Sequence, residues 1–351
     1  MSLPSQMKAV TTIGDGNVKL TTIPIPKPGS GQILVKVIAA AQNPSEWMKI
    51  QGIPTTDVVV GHDYAGVVQE IGPDVPAGTR QIGERVAGFV NACISNDIGG
   101  TFAEYTLADA QVLIPLPGHI SFEDAATLGL AGFTACQALW QNTPNVPTLD
   151  EPTKEPFSIL IWGGATSVGQ FAIQLAKNAG LQVITTASPK NHELLKSLGA
   201  DAVFDYRDSA VVDKVIKQVG GKLAYAVDCV STDDSARQTS ECLESGGHVS
   251  LVLMPKVERE DIKSDTSFVY TLLGKPINLF PPYQFPAIPE HYDLGKKFGS
   301  TMSRLLQQGK LRGNPIKLVP NGLAGAQEWI EFQQAGKVSA EKIVYRIADT
   351  A

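Results

Sequence analysis

Apolar positions follow two different rhythms along this chain. From residue 7 to about 120 they come in short bursts, at 7–10, 18–21, 32–39, 65–71, 83–89 and 101–107, separated by turns such as Gly14-Asp15-Gly16. Short strands at this spacing predict a small β-barrel rather than a parallel sheet. The rhythm changes at Ser121-Phe122-Glu123-Asp124, where Ser121 reads as a helix N-cap and Asp124 as a weak substitute for the usual Glu three residues on. Residues 125–140 then predict a helix that is apolar nearly all round and therefore buried. A proline-rich loop over 144–156 follows.

Residues 157–162 form an apolar run without polar alternation, which predicts a strand buried on both faces. A turn of small residues comes next, Gly163-Gly164-Ala165-Thr166-Ser167-Val168-Gly169. Helical spacing of Phe171, Ile173, Gln174, Leu175 and Ala176 continues to Gly180. Strand and helix patterns alternate from there: strands at 182–187, 202–204, 225–229 and 247–253, helices at 191–197, 209–219 and 235–243. That alternation predicts a parallel, doubly wound sheet. Beyond about residue 310 it stops; a helix at 324–335 and a strand at 342–346 are expected to rejoin the first domain. The expected fold class is α/β, with a barrel domain over 1–124 completed by 310–351 and a nucleotide-type domain over 125–309.

The turn carries the first candidate chemistry. Gly164 takes the first glycine position of G-x-G-x-x-G, Gly169 the last, and Thr166 replaces the middle one. Backbone N–H groups of such a turn can approach a pyrophosphate, and the helix N-terminus adds positive dipole. The turn alone is equally consistent with a purely structural link. The adenosine ribose position falls roughly 20 residues further on. There the chain reads Ala187-Ser188-Pro189-Lys190-Asn191-His192, without the carboxylate that would accept from both ribose hydroxyls. Ser188 and Lys190 suit a 2′-phosphate instead, and Tyr206-Arg207 adds a stacking ring and a second cation. Each cation alone also reads as an ordinary solvated charge; together they favour NADPH over NADH.

Composition narrows the class. The 351 residues are 43% hydrophobic and 18% charged with a net charge of −6, so no basic field draws nucleic acid or anionic lipid. No apolar run reaches the length of a membrane span. The start, MSLPSQMKAV, lacks the features of a signal peptide. Cys93, Cys136, Cys229 and Cys242 show no C-x-x-C spacing, which predicts reduced thiols and a cytoplasmic protein rather than a disulfide framework or zinc cluster.

Together, Gly61-His62-Asp63-Tyr64-Ala65-Gly66, Gly83-Glu84-Arg85-Val86, Gly99-Gly100-Thr101-Phe102-Ala103-Glu104-Tyr105, the Thr166–Gly169 turn, Leu198-Gly199-Ala200-Asp201 and Glu341-Lys342-Ile343-Val344 resemble the medium-chain dehydrogenase/reductase superfamily over essentially the whole chain. The resemblance implies a GroES-like β-barrel domain and a Rossmann domain. Zinc alcohol dehydrogenases of that superfamily hold a catalytic metal with Cys, His and Cys. Here Asn43 stands at the first cysteine position, His62 keeps the histidine, and only Cys93 lies where a structural zinc lobe would be. A site of that kind wants three protein ligands plus water, so His62 reads as a hydrogen-bonded barrel residue and no metal is expected.

The zinc-independent quinone and enoyl reductases are the branch this chain resembles. It looks most like the fungal enoyl reductases that act in trans on polyketide synthases, through Asn43-Pro44, Ser188-Pro189-x-Asn191, Phe204-Asp205-Tyr206-Arg207 and Tyr225-Ala226-Val227-Asp228-Cys229. The resemblance implies hydride transfer from NADPH to the β-carbon of an α,β-unsaturated carbonyl or thioester. By it, Ser45, Glu46, Trp47, Met48, Gly164, Thr166, Ser167, Val168, Gly169, Ser188, Lys190, Asn191, Tyr206, Leu251, Val252, Ile343 and Val344 would line the cofactor. Leu128, Gly129, Leu130, Thr134, Leu272, Leu273 and Gly274 would border an acyl pocket. The proton donor is open: Tyr64 is a candidate by position and equally a packing residue, and water or the nicotinamide ribose hydroxyl could serve. Residues 268–292, with Phe280, Tyr283, Phe285 and prolines 281, 282, 286 and 289, read either as a mobile flap or as a plain crossover. A quinone reductase and a dinucleotide-binding protein without turnover are the alternative functions. The expected partners are a small-molecule or carrier-bound unsaturated acyl substrate and a polyketide synthase, with the chain a monomer or homodimer.

Overall fold

The structure, a computed structural model, describes residues 3–97, 99–153, 155–279 and 282–351. Met1, Ser2, Ile98, Lys154 of the proline-rich loop, and Phe280 and Pro281 of the 268–292 segment lie outside the described residues. The chain divides into two compact units, Met1–Leu130 with Tyr270–Ala351, and Ala131–Val269.

The first unit is β-rich. Its strands are β1 (Gln6–Gly14), β2 (Asn17–Pro24), β3 (Gln32–Ala41), β4 (Thr56–Val59), β5 (Asp63–Ile71), β6 (Arg85–Phe89), β7 (Tyr105–Asp109) and β8 (Ile114–Pro115). Strand β3 organises them. It pairs antiparallel with β5 along one side, and with β7 through residues 32–36 on the other. Helix α1 (Pro44–Gly52) follows β3 directly, where the apolar pattern above predicts no helix. Asn43 is its N-cap, Pro44 fits the first helical position, and Glu46 three residues on reaches back to the Asn43 N–H at 2.6 Å.

The expected helix over 125–140 is two helices, α2 (Phe122–Ala126) and α3 (Gly129–Trp140). The break has a cause in the first unit. A Cβ at Gly129 would lie 2.4 Å from both an Asp63 carboxylate oxygen and the Gly88 carbonyl. The glycine therefore lets the start of α3 settle onto Asp63, whose Oδ1 accepts from the Leu130 N–H at 2.6 Å.

The second unit carries β9 (Ser158–Trp162), α4 (Ser167–Asn178), β10 (Gln182–Thr186), α5 (His192–Ser197), β11 (Ala202–Phe204), α6 (Val211–Val219), β12 (Leu223–Asp228), α7 (Asp233–Glu241), β13 (Leu243–Leu251) and β14 (Lys263–Thr266). All pairings are parallel and the order is β11-β10-β9-β12-β13-β14. This is the doubly wound arrangement expected from the alternation. The order reverses at β9, so the carboxyl ends of β9, β10 and β12 flank the crevice where such sheets bind ligands.

The chain re-enters the first unit at Tyr270. The 268–292 segment is more regular than its prolines suggest: a 3₁₀ turn over Val269–Leu273 buries Tyr270 and Leu272, and β15 (Ile277–Asn278) pairs with β16 (Gln284–Phe285). Helix α8 (Pro289–Gln307), absent from the sequence reading, starts with its proline at the first position. It packs closely on β8's approach, because a Cβ at Gly299 would meet the Leu113 carbonyl at 2.1 Å. Strand β17 (Ile316–Leu318), helix α9 (Ala326–Gln334) and strand β18 (Lys342–Arg346) complete the unit. β18 pairs antiparallel with the end of β3, Val344 opposite Ala41. Among the described residues no helix is long and apolar enough to cross a membrane.

Candidate active site

In the second unit the turn after β9 is built by close packing. Gly163 has φ +76°, and its N–H donates to Thr186 Oγ1 at 3.0 Å. A Cβ at Gly164 would come within 2.1 Å of Thr185 Oγ1, and one at Gly169 within 2.4 Å of the Gly163 carbonyl. Thr166, at the missing middle glycine, is the N-cap of α4: its hydroxyl accepts from the Gly169 N–H at 3.0 Å. On the other side of the switch point Asp228 ends β12, fully buried. It accepts from the N–H groups of Val230 and Ser231, each at 2.9 Å, and from Ser235 Oγ at 2.7 Å. Ser231 Oγ in turn accepts from the Val252 N–H at 2.9 Å, which ties the ends of β12 and β13 together.

The register of β10 and β11 sets Thr186 beside Phe204, so residues 188–191 and 205–207 leave adjacent strand ends. Lys190 is exposed and has no ion pair among the described residues. Tyr206 is 44% exposed. Arg207, the expected second cation, is already paired. Its guanidinium forks onto Asp205, at 3.0 and 2.9 Å, and this pairing holds the Asp205 carboxyl below its ordinary range. A group of this shape would fit a nucleotide with a 2′-phosphate, with Lys190 as the uncommitted charge.

A second polar cluster lies wholly within the first unit. Glu46 is fully buried, and its two oxygens accept from the backbone N–H groups of Asn43 (2.6 Å) and His62 (2.9 Å). Asn43 donates through Nδ2 to Asp63 at 2.9 Å, and its Oδ1 accepts from Lys342 Nζ. Lys342 is also ion-paired with Asp63 at 3.0 Å. His62 donates from Nδ1 to the Val90 carbonyl at 2.8 Å, leaving Nε2 to face the Tyr270 hydroxyl at 3.3 Å. Burial pushes His62 well below its ordinary range, so the ring is neutral. Lys49 Nζ donates to Asn91 Oδ1 at 2.6 Å and to the Ala92 carbonyl at 3.2 Å, and sits 4.0 Å from the centre of the Tyr270 ring.

These residues do not fit a catalytic zinc. The Asn43 amide is committed to Asp63 and Lys342, His62 Nε2 meets a hydroxyl, and the Lys49 ammonium adds a cation to the same cluster. Among the described residues no group of three or more His, Cys, Asp or Glu side chains is placed to hold a metal ion.

Several residues expected at the site have buried side chains. Helical spacing turns the Glu46 side chain and Ile50 into the core, while Ser45, Met48 and Lys49 share another, part-exposed face, so only the Glu46 backbone could border a cofactor. Tyr64 is 0% exposed in the barrel core, its hydroxyl has no hydrogen-bond partner, and its ring lies against Gly88. That is the packing role of the two left open by its position, and burial raises the phenol above its ordinary range. Leu128, Leu272, Ile343 and Val344 are each fully buried, so only their backbone could border a ligand. Lys49, Tyr270 and Lys342 were not singled out as site residues from sequence.

The Glu46 carboxyl is pushed up to about 7, by burial first and then by the Asp63 charge. A carboxyl whose folded pKa is raised makes the native state hold a proton that the unfolded state releases. Stability should therefore fall as pH rises from about 4.5 to about 7. Urea midpoints at pH 5 and pH 8 should show this decline in the wild type and lose it in Glu46→Gln; equal slopes would refute it.

A family model described as "Alcohol dehydrogenase GroES-like domain" matches residues 29–118, and one described as "Zinc-binding dehydrogenase" matches residues 167–276. The trans-enoyl reductase FSL5 of Gibberella zeae is 36% identical, over 100% of this chain and 99% of its own. The trans-enoyl reductase ACTTS2 of Alternaria alternata is 35% identical, over 97% and 98%. Among solved structures, the quinone oxidoreductase from Coxiella burnetii superposes with a TM-score of 0.71 at 28% identity, covering 97% of this chain and 99% of that one.

Proposed function

The chain belongs to the medium-chain dehydrogenase/reductase superfamily and, within it, to the trans-enoyl reductases; on that premise we propose that it is an NADPH-dependent, zinc-independent reductase of α,β-unsaturated thioesters. It is an oxidoreductase of a family that uses a nicotinamide dinucleotide. When bound, the nucleotide supplies the hydride that adds to the β-carbon of the acceptor. In this reading a polyketide synthase presents that acceptor on a carrier, and the reductase works in trans.

The chain's own residues would bind and orient. Backbone N–H groups of the 164–169 turn and the start of α4 take the pyrophosphate. Ser188, Lys190 and Asn191, with the Tyr206 ring, take the adenosine end. Ser45, Trp47, Met48 and Val252 border the rest, and Leu130, Thr134, Leu273 and Gly274 the acyl group. Tyr64 has no part in it.

The observation that carries the NADPH assignment is the unpaired Lys190 beside Ser188, at a strand end without a carboxylate. Losing one charge-assisted contact should weaken binding by about 10- to 100-fold. Lys190→Ala is therefore expected to raise the NADPH Kd by that factor and leave NADH nearly unchanged, as read by nucleotide fluorescence. Equal effects on both nucleotides would refute the assignment.

The likeness to a quinone oxidoreductase at 28% identity supports a second reading, a flatter quinone acceptor. Crotonyl thioester and a naphthoquinone assayed side by side with NADPH separate the two. Tight nucleotide binding with neither acceptor reduced would point to a protein without turnover.

A further inference from the structure

Buried or half-buried lysines ordinarily pair with a carboxylate, because an uncompensated ammonium loses its hydration without return. The first unit holds two lysines that treat this rule differently. Lys342, its side chain 2% exposed, obeys it through Asp63. Lys49 does not: it has no ion pair among the described residues, and its ammonium meets an amide oxygen, a backbone carbonyl and the face of a phenol ring.

Glu46 favours the Lys49 charge through space, but no carboxylate oxygen lies at ion-pair distance from the ammonium among the described residues. Glu46 spends both oxygens on backbone N–H groups, and Asp63 spends both on Leu130, Asn43 and Lys342. The other groups near the ammonium are uncharged at neutral pH. His62 is held neutral by burial, the Tyr270 phenol stays protonated, and burial pushes the Cys93 thiol up to about 12. The face of α1 that carries Lys49 is part-exposed. Ser45, Met48 and Lys49 lie on one face of α1, with Met48 41% exposed. The Ser45 hydroxyl lies near the Tyr270 hydroxyl yet has no partner at bonding distance.

A fixed positive charge with no anion in direct contact is suited to a transient one. Hydride addition at the β-carbon forms one C–H bond and moves the alkene electron pair toward the carbonyl. Negative charge then rests on the carbonyl oxygen as an enolate, until solvent delivers a proton to the α-carbon. We infer that the Lys49 ammonium stabilises this oxyanion of the unsaturated acyl substrate, and so carries the electrostatic part of the reaction in a site whose residues do not fit a metal. The inference rests on the enoyl reductase reading above. Burial holds Lys49 at about 8, so it is charged at neutral pH and loses its charge in mild alkali.

The test uses the full chain, wild type against Lys49→Met and Lys49→Arg. Crotonyl thioester turnover, NADPH affinity and thermal stability are measured together with one signal independent of turnover. That signal is the near-ultraviolet absorbance of acetoacetyl thioester enolate, recorded with oxidised nucleotide present. Removal of one oxyanion-stabilising group typically costs about 100-fold or more in rate. Lys49→Met should lose about that much in kcat/KM, lose the enolate signal and the alkaline limb near pH 8, and keep its NADPH affinity. Lys49→Arg should retain part of both activities. Wild-type turnover and enolate signal in Lys49→Met would overturn the inference, and so would an equal loss of nucleotide binding. Failure of the underlying reading shows itself separately, as wild-type protein that binds NADPH but does not reduce the thioester.

Discussion

Exchange of Lys342 for methionine is expected to destabilise the protein by about 3–5 kcal/mol, the usual cost of removing one partner from a buried ion pair. Lys342 and Asp63 have side chains 2% and 0% exposed and lie 3.0 Å apart. Without the ammonium, Asp63 keeps a charge with only the Asn43 amide and the Leu130 N–H to hold it. It must then protonate or admit water, and either disturbs the start of α3. Denaturant midpoints measure the loss. Adding Asp63→Asn to the Lys342→Met background should recover roughly half of it, because the stranded charge is gone while an acceptor for Leu130 remains. A single-variant loss below about 1 kcal/mol would show that the pair is not isolated from solvent.

Gly169→Ala should abolish tight nucleotide binding. The added methyl would lie 2.4 Å from the Gly163 carbonyl and 2.7 Å from Gly164 Cα, both backbone atoms that no side-chain rotation can clear. Helix α4 must draw back from the end of β9, and the turn loses its N–H geometry. Loss of two charge-assisted contacts implies a Kd raised by about 100-fold or more. Gly221→Ala serves as the control: a Cβ there meets nothing within 4 Å, so binding should not change. A Gly169→Ala protein that titrates like wild type would remove this turn from the nucleotide site.

How far the sequence carried this picture depends on the distance between partners. The strand at 342–346 and the cap at Ser121 were legible because alternation and capping are local patterns. Helix α1 was legible in principle: Asn43, Pro44 and Glu46 spell an N-terminus, but the Asn-Pro pair after a strong strand reads as a strand end. Prolines masked α8 in the same way, since Pro289 opens the helix rather than ending a loop. The break between α2 and α3 was not legible, because its cause is Asp63, sixty-seven residues before Leu130. The Lys49 cluster was harder still. Tyr270 meets His62 across 208 positions, and Lys342 meets Asn43 across 299, and no periodicity records such pairings. The burial of Glu46 was not legible either, because proximity to a motif says nothing about which way a helix turns.

The late arrival of β18 has a consequence for biosynthesis. The second unit, Ala131–Val269, is contiguous, whereas the first needs Lys342 and the strand it begins before its buried charges are neutralised and the end of β3 is covered. At roughly 5–20 residues per second of translation, the half-built barrel waits on the order of tens of seconds at the ribosome with an open sheet edge. Nascent-chain chaperones would find their principal client surface there, on the portion synthesised first, while the portion synthesised second is already folded.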